Sequence, residues 1–298
     1  MSKIIGNEKI KTELKRAVQN NDILHSYMFI GQEGIGKKKI AKEFARTILC
    51  ETKKNNCNCK SCTSFKNGNN PDFYLISEEG NSIKIDQIRN LIEKAYEKPI
   101  ASEKKVYIID NSDKMTVEAQ NSLLKTLEEP PDYMVLILIT SNIDNILNTV
   151  KSRCVKLSFE SLSNDEIKEV LNERGLNTNL NENMYELFNG SIARALKILE
   201  KQEDFTQLEK FVNNISKEDK LEYITSYKSL FTKENINEYL EYALVLFFNK
   251  GKKTNSIRYL NCVNIIQETI NRLKSNANFD MSVDNMLFKL WEEVNWKQ

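Results

Sequence analysis

The thirteen residues FIGQEGIGKKKIA, Phe29–Ala41, decide the fold of this chain. Gly31, Gly36 and Lys37 occupy the fixed positions of a phosphate-binding loop, G-x-x-x-x-G-K-[ST], with Gly34 as a further glycine inside it. In such a loop backbone N–H groups at a helix N-terminus cradle phosphate, and the lysine reaches the outer phosphates. The apolar run YMFI before the loop and the face Ile40, Phe44, Ile48 after it supply the strand and helix the motif needs. The last position departs from the pattern. Lys38 stands where Ser or Thr would ligate Mg²⁺, and two unit positive charges about 4 Å apart repel by roughly 4 kcal/mol at a surface-like effective dielectric. The spacing predicts a loop that keeps its shape and disfavours magnesium.

Working outward, short β-rich runs alternate with helical patterns through residue 160. The runs are YMFI (27–30), FYLI (73–76), VYIID (106–110), MVLILIT (134–140) and VKLSF (155–159), which predicts an α/β domain with a largely parallel sheet. Helices are predicted at Ile85–Ala95 and from about Thr116 to Glu129, the second stopped by Pro130 and Pro131. The third strand ends in Asp110 followed by Asn111, where a hydrolytic site wants a metal-binding Asp and then an acid that polarises water. An amide is not a general base, so this second departure falls on the same chemistry as Lys38.

After Phe159 the pattern becomes helical throughout, opening on a capping box, Ser163 with Glu166, and closing its first helix at Gly175. The reading is an α/β domain over 1–160, a small helical domain over 161–202 and an all-α domain over 203–298. In the last of these Ile257, Leu260, Val263, Ile266, Ile270 and Leu273 trace one seam, and Val283, Met286, Leu287, Leu290 and Trp291 another. Segment 50–72 reads as an insertion-like loop in the first domain. It holds Cys50, Cys57, Cys59 and Cys62, four of the six cysteines, and four thiolates can close a tetrahedral structural zinc site. The two other cysteines, Cys154 and Cys262, read as buried apolar thiols, and the single histidine, His25, as a packing or hydrogen-bonding residue.

A formal charge of +1 over 298 residues gives no global attraction to nucleic acid or an anionic membrane, so the short lysine runs read as solvated faces. The N-terminus lacks the apolar core of a signal peptide, and runs such as YALVLFF are far below a membrane span, so a cytoplasmic protein with no membrane contact is expected.

At NSLLKTLEEPPDYMVLILITSN (121–142) and TVKSRC (149–154) the sequence resembles bacterial clamp-loader subunits of the AAA+ class, and residues 4–38, with the His-Ser pair before the first strand, resemble their opening segment. The resemblance implies a AAA+ domain, a helical lid and a helical collar that joins the other subunits. It also implies that Arg153, in Ser-Arg-Cys, is an arginine finger reaching the ATP of an adjacent subunit. Motor subunits of that family keep an intact phosphate loop and an acidic pair after the third strand; Lys38 and Asn111 place this chain with the non-motor kind. A third departure agrees, since GSIARAL carries Ala193 where the motor's sensor arginine stands, with Arg194 one place later; Ser141 takes the polar sensor position. The implied partners are the gamma/tau motor subunits, the delta subunit and, through the complex, the sliding clamp and primed DNA. ATP is not expected to be hydrolysed here, and zinc is the expected metal, although C-x₆-C-x-C-x₂-C is tighter than the family's usual spacing. Two alternatives stand: an active motor subunit of the same machine, and a zinc-dependent nucleic-acid-binding protein.

Overall fold

A computed structural model describes residues 4–53, 57–176, 180 and 182–295. Residues 1–3, 54–56, 177–179, 181 and 296–298, which the expected domains and the cysteine loop include, lie outside the described residues. The chain forms two compact units, Met1–Asn177 with Gly190–Ala193, and Thr178–Asn189 with Arg194–Gln298. The segment expected as a small helical domain is therefore divided between them.

The first unit runs α1 (Glu8–Gln19), β1 (Ser26–Ile30), α2 (Lys37–Ile48), α3 (Lys60–Lys66), β2 (Phe73–Ile76), α4 (Ile85–Ala95), β3 (Lys105–Ile109), α5 (Val117–Glu128), β4 (Met134–Thr140), α6 (Asn148–Lys151), β5 (Val155–Ser158) and α7 (Asn164–Glu173). The five strands form one sheet in the order β2-β3-β4-β1-β5, with every pairing parallel. Side chains alternate along each strand, so both faces are apolar. Phe29, Val106, Ile108, Val135 and Ile137 pack with Leu14, Ile40 and Phe44 on one face. Met28, Tyr107, Ile109, Leu136 and Leu138 pack with Ile88, Leu91 and Leu123 on the other. Helices thus cover both sides of a buried parallel sheet.

The ends of these helices follow their sequence signals. Thr116 Oγ1 caps α5 by accepting from Ala119 N, and Ser163 with Glu166 forms the capping box of α7. In the supposed cysteine loop the structure differs, because α3 stands inside it. Cys59 is its N-cap, with Sγ accepting from Cys62 N, and seven residues are too few to show a helical period in sequence.

The second unit holds α8 (Glu182–Phe188), most of α9 (Ile192–Glu200), α10 (Gln202–Asn214), α11 (Lys220–Lys228), α12 (Ile236–Thr254), α13 (Ile257–Lys274) and α14 (Phe279–Asn295). Val283, Met286, Leu287 and Leu290 of α14 are buried as their spacing predicts. The α13 seam is corrected: its buried face is Cys262, Ile266 and Thr269, while Ile257 is 71% and Leu260 36% exposed. Apolar residues lie on more than one side of α13, and periodicity alone does not say which side the interior takes.

Candidate functional site

The strand β1 lies between β4 and β5, whereas the chain leaves it to form β2 at the far edge of the sheet. The crevice at the carboxyl end of such a strand is where parallel α/β sheets receive ligands. The glycine loop leaves β1 there. Gly36, at φ +96, is the N-cap of α2 and has no atom within 4 Å of where a Cβ would sit. Gly34, at φ +82, has no such room: a Cβ would lie 2.2 Å from Ser191 Oγ and 2.7 Å from Ala193 Cβ. Ile192 N also donates to Gly34 O at 3.0 Å. The GSIARAL segment therefore seals the loop tip with Ala193, at the position where the family resemblance puts a sensor arginine.

Lys37, Lys38, Asp110 and Asp113, the charged groups placed to hold phosphate or metal, are matched from within. Lys37 is buried, and its Nζ donates to Gly31 O at 2.6 Å and Gln32 O at 2.7 Å. Burial lowers its pKa, against the opposing pull of Asp110, Asp113 and Glu33. Lys38 Nζ lies 2.8 Å from Asp110 Oδ2, so an ammonium sits on the carboxylate that would hold a metal. Asn111 is left-handed at φ 49, and its Nδ2 donates to both carboxylate oxygens of Glu78 at 3.1 Å. Ser141, at the polar sensor position, is turned onto Asp113: its N donates to Oδ1 at 3.1 Å and its Oγ to Oδ2 at 3.3 Å. Asp110, Asp113 and Glu78 are each engaged by a neighbouring side chain or backbone amide and not left open to a divalent cation.

Arg153 stands at the other end of the same strand. Ser26 Oγ, on the first residue of β1, donates to Arg153 O at 2.6 Å. The guanidinium is about one-third exposed; Nη1 donates to Thr149 O at 2.8 Å and Nη2 to Glu128 Oε1 at 2.5 Å. From Ser26 to Ile30 a strand rises about 13 Å at roughly 3.3 Å per residue, and the loop continues beyond that end. Arg153 and the phosphate loop therefore cannot meet on one ligand within this chain. Sequence reasoning found Arg153 but not its partners: Ser26 lies in the opening segment that resembles the family and Glu128 in LLKTLEEPP, and neither stretch gave a sign of what these residues touch. His25, expected to pack or bond, has an exposed side chain, and its carbonyl accepts from Leu136 N. Cys154 is half-buried, packs against the core, and burial pushes its thiol up to about 11.

The four clustered cysteines come together just past the C-terminal end of α2. The sulfurs of Cys50, Cys57, Cys59 and Cys62 all lie within 4.8 Å of one another. Tetrahedral zinc–sulfur bonds of about 2.3 Å put sulfurs about 3.8 Å apart, so a small contraction closes the site. The donors around it suit thiolates. Thr52 Oγ1 donates to Cys57 Sγ at 3.2 Å, Cys59 N to Cys57 Sγ at 3.3 Å, and Cys62 N to Cys59 Sγ at 3.4 Å. Burial, with Cys50 and Cys59 beside it, pushes the Cys62 thiol up to about 12, and a bound cation is what would ionise it. The residues present fit a four-thiolate metal.

A family model described as DNA polymerase III, delta subunit, matches residues 6–163, more than half of the chain. The chain belongs to this clamp-loader family. The DNA polymerase III subunit delta' of Bacillus subtilis (strain 168) is 34% identical over 196 residues, which is 65% of this chain and 59% of that protein. The subunit gamma/tau of Mycoplasma pneumoniae is 31% identical over 214 residues, 69% of this chain and 31% of that protein. The chain thus spans less than two thirds of the length of these curated relatives, and both kinds of subunit are among them. A crystal structure of a DNA polymerase III gamma subunit-related protein from Thermotoga maritima matches with a TM-score of 0.52 over 95% of this chain and 99% of that one, at 18% identity. That likeness is one of fold: this clamp-loader family member has the α/β sheet of the AAA+ class with helical elements after it.

Proposed function

We propose that this chain is the delta prime kind of clamp-loader subunit, one that does not hydrolyse ATP and completes the site of a neighbour. The observation that carries the reading is the 2.8 Å contact of Lys38 with Asp110. An internal ammonium takes the place of Mg²⁺, and Asn111 removes the acid that would polarise water. What remains for catalysis is Arg153. Because β1 separates it from this chain's own loop, any phosphate it meets belongs to another subunit. Its planar guanidinium can pair with charge developing on a transferred phosphoryl group, where such a finger is worth about 10³–10⁵ in rate.

In this reading the chain works in the bacterial cytoplasm with gamma/tau motor subunits and a delta subunit, and reaches the sliding clamp and primed DNA through that assembly. Residues 161–202 serve as the lid and 203–298 as the collar, where the exposed Leu221, Ile257 and Met281 are surface for neighbouring subunits. Zinc in the cysteine cluster would be structural, tying Cys50 to the turn and helix that carry Cys57, Cys59 and Cys62.

The test has two parts. The purified chain shows no Mg²⁺-dependent ATPase above background; turnover that disappears on Lys37→Ala would establish a motor subunit instead. In complexes reconstituted at matched subunit ratio, Arg153→Ala leaves assembly and ATP binding near wild type and lowers DNA- and clamp-stimulated hydrolysis and clamp loading. Arg153→Lys rescues poorly, since an ammonium lacks the fork. Wild-type rates in a complex shown to contain Arg153→Ala would remove the finger assignment.

A further inference from the structure

We propose that Arg46, in the last turn of the phosphate-loop helix α2, is the charge partner of the cysteine cluster and positions Cys62 as a thiolate ligand of the bound metal. The inference rests on the metal reading given above and adds a residue outside the four cysteines.

The geometry is specific. Arg46 is 7% exposed; its Nε donates to Glu43 Oε2 and its Nη2 to Glu43 Oε1, both at 2.8 Å. That bidentate pair fixes the plane of the guanidinium and leaves Nη1 aimed at Cys62 Sγ, 3.3 Å away. A guanidinium does not deprotonate in a protein, so even with Glu43 sharing its charge a cationic N–H is held against a buried sulfur. Four thiolates around a divalent metal carry a net charge of −2, which burial makes costly unless it is balanced. The donors described at Cys57 and Cys59 are a hydroxyl and backbone amides, all neutral. The one at Cys62 is a cation. Arg46 lies in the last turn of α2, four residues before Cys50, and its charge also suits the negative end of that helix. The helix that begins at the phosphate loop thus ends by supplying a cationic donor and leads directly into the first ligand, Cys50.

The test uses the full chain, stripped of metal under reducing conditions and titrated with Co²⁺ alone and then in competition with Zn²⁺. The wild type binds Co²⁺ with a sulfur-to-cobalt charge-transfer band. Arg46→Gln binds roughly 10–100-fold more weakly, the range typical of outer-shell partners, and its band moves to lower energy because a thiolate without its donor gives up an electron more easily. Arg46→Lys keeps the charge without the fork and falls between the two. Unchanged affinity and an unchanged band in Arg46→Gln overturn the inference while leaving the metal site standing. Absence of any charge-transfer band in the wild type overturns both. If metal-free Arg46→Gln does not reach the wild-type circular dichroism spectrum, the Arg46→Lys band decides: a shift supports the assignment and an unshifted band overturns it.

Discussion

The two ends of α2 hold ligand sites of opposite character. At its N-terminus the motif is nearly complete and the chemistry is closed: Lys38 is matched to Asp110, Lys37 to two loop carbonyls and Asn111 to Glu78. At its C-terminus the spacing of the motif is irregular, and the chemistry is open: hydrogen-bond donors face the sulfurs of Cys57, Cys59 and Cys62, and among these donors Arg46 is the cation. What decides whether a site can take a metal is the charge left unmatched around it, and a motif reports this only indirectly. One substitution, Ser or Thr to Lys at position 38, suffices to fill a cation site from inside.

Four experiments break or sharpen this contrast. The largest effect is expected for Cys59→Ser, which removes both a ligand and the sulfur that caps α3. Bound metal, measured by elemental analysis of reduced protein, should fall by more than the roughly 10–100-fold that an outer partner would cost. The sheet should still melt cooperatively near the wild-type temperature, because the buried residues of its two apolar faces include none of the four cysteines. Undiminished metal would show that the C-terminal site is not the one described.

Next in size is a pair of glycine substitutions at the closed end. Gly34→Ala must both adopt a left-handed backbone and displace Ser191 and Ala193, and should cost about 2–3 kcal/mol in urea unfolding. Gly36→Ala meets nothing and carries only the backbone cost, about 1–2 kcal/mol. Equal costs at the two positions would mean that residues 191–193 do not seal the loop.

Lys38→Thr tests closure directly by restoring a hydroxyl and freeing Asp110. Binding of a fluorescent ADP analogue should become Mg²⁺-dependent, tightening by about tenfold, or about 1.4 kcal/mol, with added metal. Hydrolysis should stay absent because Asn111 is unchanged. Binding that remains indifferent to Mg²⁺ would show that Lys38 is not what closes the site.

The smallest effect belongs to the third region, the arginine corner. The Arg153–Glu128 pair is half in water, with side chains 34% and 50% exposed, so Glu128→Gln should shift stability by less than about 0.5 kcal/mol in thermal or urea melts. A larger loss would make Arg153 a clasp of its own domain instead of a group held ready at a surface.

Much of this was legible in sequence. All five strands lie within about one residue of their β-rich runs; β1, β3 and β4, buried on both faces, read as continuous apolar stretches, and the edge strands β2 and β5 as short β-rich runs between turns. Helix α5 ends at Glu128, just before Pro130, as the proline requires. The glycine loop, Arg153 and the four cysteines were also legible as chemistry. Their partners were not. Lys38 meets Asp110 only because the sheet order brings the end of β3 within reach of the loop after β1 with one strand between them, a fact of topology that no local pattern carries. Ser26 and Arg153 are joined across 127 positions for the same reason. Helix α3 was hidden by its length, and the buried side of α13 by an excess of apolar residues.

The bond from Ser26 to the Arg153 carbonyl has a mechanical meaning. β1 is laddered to β4 on one side and to β5 on the other, so it has almost no give along its axis. Its first residue grips the backbone of the arginine, and its last residue leads into the glycine loop. The two act as opposite ends of one stiff rod. The ladders on both sides resist any sliding or tilting of β1, so the arginine backbone and the start of the glycine loop are held at a fixed separation. The glycine loop and the arginine corner thus share one anchor, as two fittings bolted to the ends of a single beam keep their spacing whatever is hung on either.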